Sequence, residues 1–566
     1  MRLINILLCS TLLMPMINAN GDQPTLQSRA ERTNYTETSR YADVLEFIAQ
    51  VQRLSPDVKV ESFAVTNEGR ALPLVILSKP ALGSPAEAAA SGKPVVFIMA
   101  NIHAGEVEGK EAVQHLMRDI VVGPLGSLLD KIVLLIAPIY NADGNEKIDI
   151  NNRTAQNGPA SGVGTRENAQ QLDLNRDFMK IETPEARGLI ENVFSRWDPH
   201  VIIDLHTTNG SYHGYALTYS PCLNPDADQR LVTFLRNRLF PDVTKTLRAK
   251  HKYETYFYGN FADDKNPVRE LSPDKSDDPK AWATFDHRPR FGNNYAGLRN
   301  RFVILSEAYS YLDFRARVDV TDKFVRAILQ YVAANANEVI TLVREADRQA
   351  VATGLSAGNE QGYGISFELK QSPKPVEILV GSVTKTVDPR TNKPRFEATN
   401  QARPVKMIEF GEFQATRRIK PPAAYMLKPE SANLIKVLQS HGIVVEVTSR
   451  DETLDVEKYT VTKVSHAARA FQGHKETKVD VTTSERQEKF PAGSFVVSVR
   501  QPKAALIFYL LEPESDDGLV NWNYLDKELD RAASEASGPD YPVYRLKSSP
   551  HVPREILKNG AGGSPR

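Results

Sequence analysis

Val95-Val-Phe-Ile-Met-Ala-Asn-Ile-His-Ala-Gly-Glu106 is the stretch from which the rest of the chain can be read. Its apolar, largely β-branched start has the character of a buried strand. It ends in an imidazole and a carboxylate, His103 and Glu106, around an Ala-Gly corner. From Glu108 to Val121 the spacing of Ala112, Val113, Leu116, Met117 and Ile120 predicts an amphipathic helix. Strand, tight turn and helix form the place where open α/β sheets keep ligand sites, at the carboxyl ends of strands. An imidazole and a carboxylate brought together there can hold a divalent metal. A catalytic zinc takes three protein ligands and keeps one position open, so a third ligand is expected elsewhere in the chain.

Three further apolar runs read as buried strands. Lys131 to Tyr140 is closed by Asn141-Ala-Asp-Gly144, Pro199 to His206 ends in a histidine, and Arg301 to Glu307 ends in a carboxylate. In a parallel sheet such ends lie along one edge, so His103, Glu106 and His206 can converge as zinc ligands. Glu307 suits a general base, because a carboxyl pressed into an apolar strand end has its pKa raised. An ion pair with Arg299 or Arg301 is the competing role for it. A long polar loop, Asn145 to Asp173, ends at Leu172-Asp-Leu-Asn175-Arg176-Asp177. There the amide of Asn175 and the guanidinium of Arg176 are shaped to receive a carboxylate.

Around these runs the chain predicts a helix over Tyr41–Leu54, a hairpin of Val58–Val65 with Leu72–Leu77, and a loop over Ala81–Lys93. Thr183-Pro184 opens a helix to Trp197, Asp226–Lys250 looks helical, and Thr321–Arg348 reads as one long helix capped by Thr321. After about Ala350 the character changes to extended, hairpin-forming stretches, with one helix at Ser431–Ser440.

At 566 residues the chain exceeds one ordinary core. Its 70 basic and 70 acidic side chains balance, which gives no electrostatic reason to expect nucleic acid or an anionic membrane as partner. Arg2 followed by the apolar run Leu3 to Ile17 reads as a secretory signal peptide ending near residue 19, which implies a periplasmic or secreted protein without a membrane span. Cys9 leaves with it and Cys222 remains alone, so no intramolecular disulfide is expected. The expected division is signal peptide 1–19, a loose polar lead-in 20–40, a catalytic domain 41–348, an accessory domain 349–557 and a flexible tail 558–566.

His103-Ala-Gly-Glu106, Asn175-Arg176, His206 and Ser306-Glu307-Ala-Tyr, in this order, resemble the zinc metallocarboxypeptidases of the carboxypeptidase A type. The likeness covers about Tyr41 to Arg348 and includes Glu68-Gly-Arg70 and Asn141-Ala-Asp-Gly144. It implies an α/β fold, a mixed, mostly parallel, eight-stranded twisted sheet sandwiched by helices. A smaller β-rich or α/β accessory domain follows. It also implies one zinc per chain on His103, Glu106 and His206, with Glu307 as base for a zinc-activated water that hydrolyses the last peptide bond. Asn175 and Arg176 would grip the free C-terminal carboxylate of a peptide substrate. The family's oxyanion arginine is missing from its expected place after Asn152-Arg153, leaving Arg153 or Arg166 for that role. Tyr295 is the candidate for the substrate-capping tyrosine, and Arg288 and Arg290 are candidate substrate contacts. Two other readings stay open: a zinc-dependent N-acyl amino acid deacylase of the same superfold, similar in its Asp-Leu-Asn-Arg stretch, and an inactive exported binding protein.

Overall fold

The runs of Val, Ile and Leu assemble as expected into one central sheet. In the computed structural model, which describes residues 26–208, 210–271, 279–532, 540–550 and 552–557, its strands are β1 (Val58–Val65), β2 (Ala71–Leu77), β3 (Val95–Ala100) and β4 (Val133–Ala137). They are followed by β5 (Val201–Thr208), β6 (Leu217–Ser220), β7 (Thr255–Phe257) and β8 (Phe302–Tyr309). The expected signal peptide and the tail from residue 558 lie outside the described residues.

The sheet has 8 strands in the order β1-β2-β4-β3-β5-β8-β6-β7. Strands β4, β3, β5 and β8 run parallel, and β1, β2 and β6 enter antiparallel pairs, so the sheet is mixed. Every residue of β3, β4, β5 and β8 is buried. That explains their unbroken apolar reading, because helices cover both faces of a parallel core. The helix Glu108–Val121 packs on one face, where a Cβ on Gly109 would stand 2.7 Å from the Cβ of Leu205. On the other face Phe194 meets Phe97 edge-on at 5.9 Å.

Several local expectations are corrected. The lead-in is packed rather than loose from Leu26 onward: a helix Arg29–Arg32 has a Ser28/Glu31 capping box, and Glu31 pairs with Arg118. The loop Ala81–Lys93 contains a helix, Pro85–Ala90, capped by Ser84. The long helix begins earlier than Thr321 and is two helices, Phe314–Ala334 capped by Asp313 and Ala336–Thr353. Asn335 breaks the run with non-helical backbone angles.

The second half builds a sheet of 7 strands, among them Glu452–His466 and Thr477–Phe490, with the helices Ala432–Ser440 and Ala504–Leu511. It is β-rich, as expected, but the boundary set after residue 348 falls inside the helix Ala336–Thr353. The two halves also share a sheet, since Ala281–Ala283 pairs with the strand Lys393–Phe410. Tyr295 and Leu438 belong to one continuous apolar core. At the seam, buried Arg290 donates from Nε to Asp517 Oδ1 (2.8 Å) and from Nη1 to Glu476 Oε1 (2.6 Å). Among the described residues no helix is long and apolar enough to cross a membrane.

Asp517 also accepts from Arg290 N and from Trp522 Nε1. Removing it as Asp517→Ala leaves a guanidinium buried with half its partners, a loss expected to cost about 3 kcal/mol. Chemical denaturation should show the lower midpoint. An unchanged midpoint would mean that the seam is not a single packed interface.

Candidate metal centre

β3 stops because Asn101 turns left-handed (φ 67°) and donates its side-chain amide to the carbonyls of Ala104 (3.3 Å) and Glu106 (3.4 Å). His103 thus sits in the turn beyond the strand, whereas His206 and Glu307 lie within β5 and β8. Gly105 is the residue the turn requires. A Cβ there would stand 2.3 Å from Arg153 Cδ and 2.8 Å from the Gly164 carbonyl. His206 and Glu307 are register partners across β5 and β8, so their side chains stand side by side on one face.

These placements bring the three expected ligands together. Glu106 turns Oε1 to His103 Nδ1 at 3.0 Å and Oε2 to His206 Nδ1 at 2.9 Å. One donor atom from each residue lies within 4.8 Å of the others, and all three residues are buried. The far edge of each ring faces a further carboxylate. His103 Nε2 is 3.1 Å from Asp173 Oδ1, and His206 Nε2 is 2.9 Å from Asp204 Oδ2. The hydrogen-bonded Asp173 fixes the orientation of the His103 ring and raises its ligand basicity, whereas Asp204 stands beside His206 Nε2 without hydrogen-bond geometry and acts on it through its charge. Two imidazole nitrogens and one carboxylate, converging from buried positions, fit a zinc ion with an open coordination place.

Burial alone would raise Glu106, but the charges of His103 and Arg153 hold it well below the ordinary carboxylate range. Burial would lower His206, and Asp204 and Glu106 outweigh it, so the imidazole lies well above its usual value. Asp173 is likewise held low against burial, chiefly by His103. The cluster is therefore built for charge. Glu307 differs: burial pushes it up to about 8, offset in part by His206 and reinforced by Glu106 and Asp204. The arginines considered as its partners are engaged elsewhere, Arg299 with Tyr295 and Arg301 with Asp198 and Asp347.

A cavity of about 800 Å³ opens over the cluster. Arg153, Arg166, Asn175, Arg176, Arg288 and Glu307 all line it. Arg153 Nη1 stands 3.1 Å from Glu106 Oε1. Arg166 is fixed through Nε and Nη2 to Asp173 Oδ2 at 2.9 and 2.8 Å, which leaves Nη1 3.3 Å from His103 Nδ1. Asn175 Oδ1 accepts from Gly292 N, and Arg176 stacks 3.9 Å from the centroid of the Phe291 ring. Burial lowers Arg176 only to about 10, so it stays charged at neutral pH.

Two expected substrate contacts are elsewhere. Tyr295 is fully buried in the helix Gly292–Leu298, with its hydroxyl on His441 Nδ1 at 2.9 Å. Arg290, with 2% of its surface exposed, is consumed at the seam by Asp517 and Glu476. Neither lines the cavity. Its tyrosine is Tyr258, raised well above its usual range by burial and then by the field of Glu307. Sequence reasoning also gave no role to Asp173 or Asp204. Asp204 had a legible signal: two residues before His206 on one strand, it shares that histidine's face.

The model of the zinc carboxypeptidase family matches residues 44–292, a span that includes all three expected ligands, Asn175 and Arg176. Carboxypeptidase 2 of Trichophyton equinum is 24% identical over 499 residues, covering 85% of this chain and 81% of that protein. Human carboxypeptidase Z is 35% identical over 120 residues, 20% of this chain and 18% of that protein. Among solved structures, a metallo-carboxypeptidase from Burkholderia cenocepacia covers 53% of this chain and 71% of its own at 17% identity, with a TM-score of 0.38. Residues 44–292 thus form a domain of the zinc carboxypeptidase family of peptide-bond hydrolases.

Proposed function

We propose that the protein is an exported zinc carboxypeptidase that removes C-terminal residues from peptides. One observation carries the reading: Glu106 between two imidazole Nδ1 atoms, with Glu307 in register beside His206, in a cavity that also holds Asn175 and Arg176. His103, Glu106 and His206 would hold one zinc ion, which when bound lowers the pKa of a water and polarises the peptide carbonyl. Glu307, poised by burial near neutrality, takes the proton of the attacking water and hands it to the leaving amine. Arg176, with the Asn175 amide beside it, takes the terminal carboxylate, and its stacking on Phe291 sets the plane of the guanidinium. Arg166 is the better placed of the two oxyanion candidates. Asp173 fixes two of its nitrogens and leaves a third at the centre, where developing negative charge needs a preorganised donor. Arg153 stays on Glu106. Export is supported by the apolar run Leu3 to Ile17.

The protein lacking residues 1 to 19 should bind stoichiometric zinc and release C-terminal residues from a mixed peptide library. Peptides with amidated C-termini should resist. Glu307→Gln should keep the metal and lose about 10³-fold in kcat. Zinc binding without peptide cleavage would overturn this reading in favour of deacylation, to be assayed on N-acyl amino acids. A protein that binds no zinc would overturn both. Separately, Asp173→Asn and Asp204→Asn should each weaken zinc binding about 10- to 100-fold in competition with a chelator. Unchanged affinity would mean that these carboxylates do not support the ligands.

A further inference from the structure

Strands Glu452–His466 and Thr477–Phe490 form a long hairpin in the second half of the chain. Its tip ends in Phe471-Gln-Gly-His474, closed by Phe471 N to His474 O (2.7 Å) and His474 N to Phe471 O (3.0 Å). The two central residues are both left-handed, Gln472 at φ 51° and Gly473 at φ 83°. Such a turn favours Asn, Asp or Gly at both places, and Gln472 departs from that preference. A local rule broken at one position points to a role elsewhere.

The side chain of Gln472 supplies that role. Its Oε1 accepts a hydrogen bond from the backbone N–H of Asp173 at 2.8 Å, across 299 residues of sequence. Asp173 is the hub on the substrate side of the centre. Its Oδ1 faces His103 Nε2 and accepts from Asn175 N, and its Oδ2 holds Arg166. The tip itself is clamped. His474 lies between Glu182 (2.9 Å) and Asn523 (3.0 Å), and Phe471 sits against Arg290 with its ring centroid 5.4 Å away. Lys478, on the returning strand, lines the cavity.

We propose that Gln472 is a positioning residue of the active site. By capping the Asp173 backbone, the hairpin tip fixes the carboxylate that orients His103 and holds Arg166. The second half of the chain thereby sets both metal affinity and the transition-state contact. The inference rests on the metal-site reading above and concerns a residue outside the part of the chain matched by the family model.

The test compares the full mature chain with Gln472→Met, which keeps the length and loses the acceptor, and Gln472→Glu, which keeps an acceptor at the same distance. Three quantities are read: zinc affinity by chelator competition, kcat and KM on a peptide, and Tm of the metal-free protein. For Gln472→Met we expect about tenfold weaker zinc binding, the lower end of what loss of an outer partner costs. We also expect kcat to fall, because the carboxylate that holds Arg166 at the centre is no longer fixed. Gln472→Glu should restore both, and the metal-free Tm should be alike in all three. Wild-type zinc affinity and kcat in Gln472→Met would overturn the inference, as would equal loss in Gln472→Glu or a loss that tracks a lowered Tm. The zinc measurement separates this failure from failure of the carboxypeptidase reading, since it needs no cleavage.

Discussion

A carboxylate buried between two imidazoles governs this structure. Isolated in an apolar interior, Glu106 would be costly to ionise. It is tolerable because His103, His206 and Arg153 all approach it within about hydrogen-bond distance. Both histidines are themselves buried and carry their own requirement. His206 leans on Asp204, His103 on Asp173, and Asp173 on Arg166. The centre is thus a chain of compensating charges in which a buried group missing its partner would be left exposed to the full desolvation cost. Rings, acids and guanidinium groups come from four separate stretches of sequence, so the sheet has to deliver them in register.

That delivery depends on β3, β5 and β8 being neighbours and parallel. Parallel register puts His206 and Glu307 opposite each other, and the two carboxylates of the site then experience different surroundings. Glu106, with two imidazoles and Arg153 at hydrogen-bond distance, is held well below the ordinary carboxylate range against its burial, whereas Glu307 has an apolar strand end and like charges nearby and rises to about 8. Two acids pushed apart in this way can divide the work of holding a metal and moving a proton.

The candidate ligands were legible because buried strands announce themselves as apolar runs, and a titratable residue closing such a run stands out. His103, Glu106, His206 and Glu307 all had that signal, and the helix Glu108–Val121 was equally plain from its period. The loops were not legible in the same way. Tyr295 and Arg290 belong to a segment rich in aromatic and basic residues, and nothing local says which side chains face the cavity. The answer lies far away in sequence, with His441 for Tyr295 and Asp517 for Arg290. The same holds for the break at Asn335, where neither Gly nor Pro marks the end of the first helix.

The second half of the chain makes sense once the loop between Asn145 and Asp177 is considered. That loop carries Arg153, Arg166, Asn175 and Arg176, yet it is polar, long and nearly without regular structure, so it has little core of its own to fix it. Precise sites on loops need a supporting shell. Part of that shell is supplied from beyond residue 350. Phe396 O accepts from the Asn157 amide at 2.6 Å, Arg390 donates to the Ala160 carbonyl, and Gln472 takes the Asp173 N–H. The anchors fall near the middle and the end of the loop, close to the groups whose positions the chemistry depends on. The strands that provide them are therefore part of the machinery that holds the site.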